Sequence, residues 1–197
     1  MINVCEQELS WLDMALNAKK SVCIRFGPRY DVTCAALVTS GGQKLEWVKS
    51  CRYLGVFFTA STKFKCSFHN AKCAYYRSFN AVFGKIGRHA SEEVTVKLIQ
   101  SKCVPIILYG LDACPVNVAD KHSLDFVLTR SLMKLFMTGS ILVISEIRRA
   151  LNIKLLSECV AERKRQFLTR FCASRNVICH LFYDIANVEL DELSQNY

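Results

Sequence analysis

Apolar residues recur along this 197-residue chain at two different spacings, and the change comes near residue 61. Before it, ELSWLDMALNAKKS places Leu9, Leu12 and Leu16 at helical intervals, with Asn17 and the following lysine pair suited to a helix end. SVCIRFG then alternates, Val22, Ile24 and Phe26 one way and Cys23 and Arg25 the other, which predicts a half-buried strand closed by Gly27-Pro28. A second strand at 36–38 meets the turn Ser40-Gly41-Gly42 and returns through 44–48, with Leu45 and Trp47 on one face. RYLGVFF reads as a third extended piece, and Gly55 inside it marks a bulge or a close backbone approach. From Ser61 on, Phe64, Phe68, Ala71, Tyr75, Phe79, Val82 and Ile86 step by threes and fours, one face of a long helix.

Further helices follow from local signals. Ser91 with Glu92 and Glu93 opens one reaching about Leu108. Asp120 caps the next, whose buried face is Leu124, Val127, Leu128, Ser131, Leu132 and Leu135 and which Gly139 stops. Ser145 and Ser157 each begin another, the latter with Val160, Phe167, Leu168 and Phe171 inward and Arg163-Lys164-Arg165 outward. Residues 176–193 also read as helical. The predicted class is α+β: one helix and about three strands in a short antiparallel hairpin portion over 1–60, helices over 61–140, and a helical extension with an acidic tail over 141–197.

Composition narrows what such a chain can do. Half of it is apolar (51%), with eight Gly and three Pro, which excludes disorder and collagen-like repeats. The net charge is +9, held in two blocks of +6 at 61–110 and 148–175, while 176–197 carries four acids and no Lys or Arg. Such a surplus points to a polyanionic partner; the tail is expected either to stay flexible or to fold back on the basic blocks. Eleven cysteines, an odd number with no CxxC, no metal-type spacing and no signal-like start, are expected to be reduced core residues of an intracellular protein, nuclear or cytoplasmic and not secreted. Cys172, Cys179 and His180 lack a fourth metal ligand. The longest apolar run, Val104 to Leu111, is interrupted by Pro105, Tyr109 and Gly110, so no membrane partner is expected. The pattern fixes no oligomeric state.

Three stretches, in this order, resemble the reverse transcriptase of non-LTR (LINE-type) retrotransposons: LDMALNAKKSVCIRFG, then RYLGVFF, then KLIQSKCVPIILYG followed by RSLMKLF and EIRRALNI. The first is similar to the helix-to-strand end of the palm, with its Leu-Asn-x-x-Lys-Ser element. The second is similar to the Tyr-Leu-Gly primer grip, here Tyr53, Leu54 and Gly55, which the resemblance implies is a hairpin whose backbone presses on the 3′ end of the primer. The third resembles the helical thumb with its Pro-x-x-Leu-Tyr-Gly stretch. Each motif is short; their order and spacing over nearly the whole chain carry the likeness. The resemblance implies the end of a palm, a primer grip and a thumb, which together clamp an RNA–DNA or DNA duplex. It also implies that Lys19 or Lys20 is a candidate proton donor to leaving pyrophosphate, the alternative role being to complement a helix C-terminus.

In the family two Mg²⁺ ions are held by an early palm aspartate and an adjacent aspartate pair. This chain has no Asp-Asp pair; its acidic doublets are Glu92-Glu93 and Asp191-Glu192. The expectation is a C-terminal fragment that binds template–primer duplex without sequence preference and is inactive alone, with no retained catalytic aspartates, no metal, no cofactor of its own and no small-molecule ligand. The residues support the same reading independently. Lys63, Lys65, Lys72, Arg77, Lys85 and Arg88 lie in or beside the first long helix, and Arg163, Lys164 and Arg165 form the second cationic group. Any one of these is commonly an ordinary solvated charge. Phe64, Phe68, Tyr75 and Phe79 are expected in the core, and Tyr76, off that stripe, is the better contact candidate. His69, His89, His122 and His180 form no triad. Two alternatives stand beside the duplex clamp, a non-enzymatic helical protein-interaction module and a Cys/His metal protein.

Overall fold

A computed structural model describes residues 2–86 and 89–195. The fold is α+β, and the chain divides into two compact units, Met1–Ser67 and Phe68–Tyr197.

The first unit opens with α1 (Ile2–Trp11), none of whose residues is buried. This helix includes Leu9 but ends at Trp11, before the predicted end near Asn17, because Asp13 takes a left-handed φ of 54°. Met14 N–H then donates to the Leu9 carbonyl at 2.8 Å and Asp13 N–H to that of Ser10 at 3.1 Å, a Schellman closure that leaves Leu12 and Leu16 outside the helix. Two sheets follow. β1 (Val22–Cys23), β2 (Leu37–Val38) and β3 (Lys44–Trp47) are ordered β1-β3-β2, the first pair parallel and the second antiparallel. The predicted strand over 22–26 is thus only two residues long, and Val22 is exposed. The pairing ends where Val48 N–H donates to the Cys23 carbonyl (2.8 Å), and Phe26 turns toward Phe64, 5.1 Å between ring centres.

β4 (Ser50–Tyr53), β5 (Val56–Thr59) and β6 (Cys66–Ser67) form an antiparallel meander. RYLGVFF is therefore a hairpin and not one extended piece. Leu54 and Gly55 form its turn, with φ of 47° and 85°, so Gly55 supplies a left-handed position instead of a bulge. Phe64 sits between Phe26 and Phe58 in the first unit, outside the helical stripe to which its spacing assigned it, and it is half exposed, so it is not the core residue expected.

The second unit is helical. α2 (His69–Ile86) buries Tyr75 and Phe79. Ser91 caps α3 (Glu92–Leu98) as predicted, and the helical run continues through a π-turn at Ile99–Cys103 into α4 (Val104–Ile107). The wide turn precedes Pro105, whose ring and missing N–H conflict with regular α pairing. α5 (Val118–Leu135) buries all six predicted residues. Its N-cap is Asn117 and not Asp120, which instead completes a capping box from the third helical position. Gly139 does not stop it; Met137 does, at φ 48°.

α6 (Ile141–Ala150) begins at Ser140, so Ser145 lies inside it. α7 (Leu156–Cys172) buries Val160 and Leu168 but leaves Phe167 exposed. α8 (Val177–Leu181) and α9 (Tyr183–Gln195) complete the unit, with α9 packed along α7. Of the eleven free cysteines only Cys66, Cys103 and Cys114 are buried, so the expectation of core cysteines holds for those three alone. No described helix is long and apolar enough to cross a membrane.

Candidate nucleic-acid interface

Two helical stripes that escape the core define the site. On α2, Tyr76, Asn80 and Phe83 stand at i, i+4 and i+7, beside the buried Tyr75–Phe79 stripe. On α5, Phe126, Arg130 and Lys134 stand at i, i+4 and i+8, beside the buried face of that helix. The stripes border a groove of about 440 Å³ lined by Tyr76, Asn80, Arg130, Lys134 and Thr138, among others.

Aromatic rings hold both cations. The Arg130 guanidinium lies over Phe126 at 5.9 Å, and the Lys134 ammonium lies 5.2 Å from the Phe83 ring centre and 5.7 Å from that of Phe79. Lys134 also donates to Asn80 Oδ1 at 3.0 Å, which ties α5 to α2 across the groove. Partial burial raises the Tyr76 phenol above its ordinary value, and Arg130 opposes that shift. The assembly is a cationic, aromatic-walled groove, suited to phosphate oxygens and to flat π systems.

The predicted site residues are dispersed. Tyr53 and Leu54 are exposed at the β4–β5 hairpin tip, at 64% and 74%, and Gly55 completes the turn. Lys63 and Lys65 are exposed in the connection before β6. Lys19 and Lys20 are exposed in a turn that starts at Asn17, well past the end of α1. In the second unit Arg77 and Lys85 are exposed on α2. Lys72 instead reaches inward and donates to the Ser123 hydroxyl on α5. Arg88 lies outside the described residues.

Arg163, Lys164 and Arg165 do not point outward. Arg163 donates to the Leu108 carbonyl at 3.5 Å, Lys164 pairs with Glu189 of α9, and Arg165 donates to the Leu193 carbonyl at 3.4 Å. The acidic tail therefore folds back as a helix on the second basic block. Among the described residues, no group of three or more His, Cys, Asp or Glu side chains is placed to hold a metal ion.

Arg130 and Lys134 are absent from the sequence-based set because they sit in a segment, 111–147, whose acids outnumber its bases by one. Counting charge along the chain averages over helix faces. The i, i+4 spacing of Phe126, Arg130 and Lys134 beside the predicted buried stripe was the available signal. No family model, curated protein or solved structure matches the chain.

Proposed function

We propose that this chain is a nucleic-acid-holding part of a reverse-transcriptase-like protein, gripping the sugar-phosphate backbone of RNA–DNA or DNA duplexes without sequence preference and forming no bonds itself. One observation carries the reading: Arg130 and Lys134, a turn apart on α5, are braced on aromatic rings at the edge of the α2–α5 groove. Cations held in place lose little side-chain freedom on meeting phosphates, and exposed Arg77 and Lys85 on α2 extend the positive surface. The order of sequence elements that resembles the family supplies the context, and the lack of an adjacent aspartate pair argues for binding in place of polymerisation.

The test is fluorescence anisotropy of labelled duplexes against salt. Affinity is expected to fall linearly on a log–log plot, and Arg77→Glu/Arg130→Glu/Lys134→Glu to weaken binding at least about tenfold and shallow the slope by about two to three contacts. A folded triple variant with unchanged affinity and slope overturns the reading. No primer extension is expected with Mg²⁺ or Mn²⁺. The exposed apolar residues Val177, Leu181, Ile185 and Val188 on α8 and α9 favour a second reading, a helical protein-interaction module, under which the same triple variant leaves partner binding intact.

A further inference from the structure

The groove between α2 and α5 offers more than a phosphate grip needs. Phosphates on a duplex are outermost and can be held by cations on a flat or convex face. Here the cations share a concavity of about 440 Å³ with a ring, an amide and a hydroxyl, within the volume range of sites that enclose a small molecule, roughly 300–1,000 Å³. A base inside a double helix shows neither face, because both are stacked, so it cannot use a ring on the wall of such a groove. An unpaired base can.

The polar groups are set for such a guest. Lys134 donates to Asn80 Oδ1, which fixes the amide with its oxygen engaged and leaves Nδ2 as the donor. A carbonyl or ring nitrogen, present on every base, can accept from it. Lys134 has three N–H donors and spends one on Asn80, so it keeps others for a phosphate oxygen. The Tyr76 ring is braced edge to face by the buried Tyr75, with centres 5.7 Å apart at 78°, so its position is set before any ligand arrives.

Resting on the nucleic-acid reading above, we propose that this groove holds a single unpaired nucleotide at the end of, or flipped from, a bound duplex. Its phosphate lies between Arg130 and Lys134, its base lies against Tyr76, and Asn80 Nδ2 donates to the base edge. Recognition is tolerant of base identity, since every base has a π face and an acceptor.

The experiment uses the full chain and three labelled hairpin duplexes: one blunt, one with a single unpaired 3′ thymidine, and one with an abasic residue at that place. The thymidine overhang is expected to bind about tenfold more tightly than the blunt duplex, with no such gain from the abasic one. Tyr76→Ala should bring the overhang-to-blunt ratio down to about one, while Tyr76→Phe keeps it. Ultraviolet crosslinking of a 5-bromouracil overhang to the wild-type chain should label the peptide containing Tyr76, which keeps the proposal testable if the alanine variant does not fold. Equal binding of thymidine and abasic overhangs, a ratio unmoved by Tyr76→Ala, or crosslinks confined to other peptides overturns it. These outcomes are separate from failure of the broader reading, which appears as blunt-duplex binding indifferent to reversal of Arg77, Arg130 and Lys134. Binding of the overhang with none of the blunt duplex supports the nucleotide site and overturns the duplex clamp.

Discussion

Tyr75 and Tyr76 are neighbours in the chain and touch edge to face, yet they occupy different surroundings. Tyr75 is fully buried, and its hydroxyl has no partner of hydrogen-bonding geometry. Burial pushes that phenol up to about 12. The sign of the consequence follows from proton counting. Between pH 10 and 12 the unfolded chain has released a proton that the folded chain keeps, so the contribution is fully present below pH 10 and is lost as pH rises through that window. Its size is about 2–3 kcal/mol at most. Denaturant midpoints at pH 9 and pH 11.5 should therefore differ less in Tyr75→Phe than in the wild type, because phenylalanine removes this titration and leaves the others. At neutral pH the same variant should stay within about 1 kcal/mol of wild type, since the hydroxyl it deletes is unpaired. An equal alkaline loss in both proteins contradicts the assignment. Met137 shows another residue-level cost, a side chain 92% exposed and held at φ 48°, which the closure of α5 requires and which glycine would occupy without strain.

Among the elements, α7 has an N-terminus that its own sequence leaves half finished. Glu158 accepts from Leu155 N–H at 2.8 Å, but Leu155 has no side-chain oxygen to return the bond. The missing acceptor comes from α5. Asp125 takes the Ser157 N–H on Oδ1 at 2.8 Å and the Ser157 hydroxyl on Oδ2 at 2.7 Å, capping α7 from another helix and bringing a negative charge to its positive end. Asp125→Ala should cost about 1–3 kcal/mol in urea unfolding, and Asp125→Asn less, because an amide keeps one acceptor but no charge; a loss below about 0.5 kcal/mol would remove the cap from this account. The bond also marks where reading by pattern stops. The buried face of α5, the Ser91 cap and the β2–β3 hairpin were legible because neighbouring residues determine them. The Ser157 hydroxyl marks a helix start in the sequence pattern, whereas in the structure Ser157 is the recipient of a cap supplied 32 positions away. The α1 terminus, the shortened β1 and the Phe64 cluster turned on left-handed positions or on partners distant in sequence, which no spacing of apolar residues records. The groove was legible only in Tyr76; Asn80, Arg130 and Lys134 become a set once α2 and α5 lie side by side.

The whole molecule is uneven in how it excludes water. Among the described residues of Met1–Ser67, only Thr39, Leu45 and Cys66 are buried, whereas Phe68–Tyr197 buries residues on every helix from α2 to α7 and Ala186 on α9. A unit of that size with three buried side chains has little apolar area to set against the entropy of ordering its chain. Its order rests on short ladders and a few polar ties, such as Ser40 N–H donating to both Glu6 carboxylate oxygens at 3.2 and 3.0 Å and Trp47 Nε1–H donating to the Ala35 carbonyl at 3.0 Å. Bonds of this kind, open to water, exchange by local opening without global unfolding. The second unit has large fully buried side chains along its helices, Tyr75 and Phe79 on α2, Ile107 on α4, Leu124, Leu128 and Leu132 on α5, Ile144 on α6 and Leu156 on α7, so its amides are released only when that packing is lost. Hydrogen exchange of the full chain near neutral pH should therefore show the β2–β3 and β4–β5 hairpin amides exchanging at least about a hundredfold faster than those at the centres of α5 and α7, a gap of roughly 3 kcal/mol in opening free energy. Duplex added at saturating concentration should slow exchange in α2 and α5, which carry the groove, more than in α8 and α9. Protection over residues 37–59 equal to that of α5 in the free chain would mean that the first unit draws stability from something other than the burial it displays.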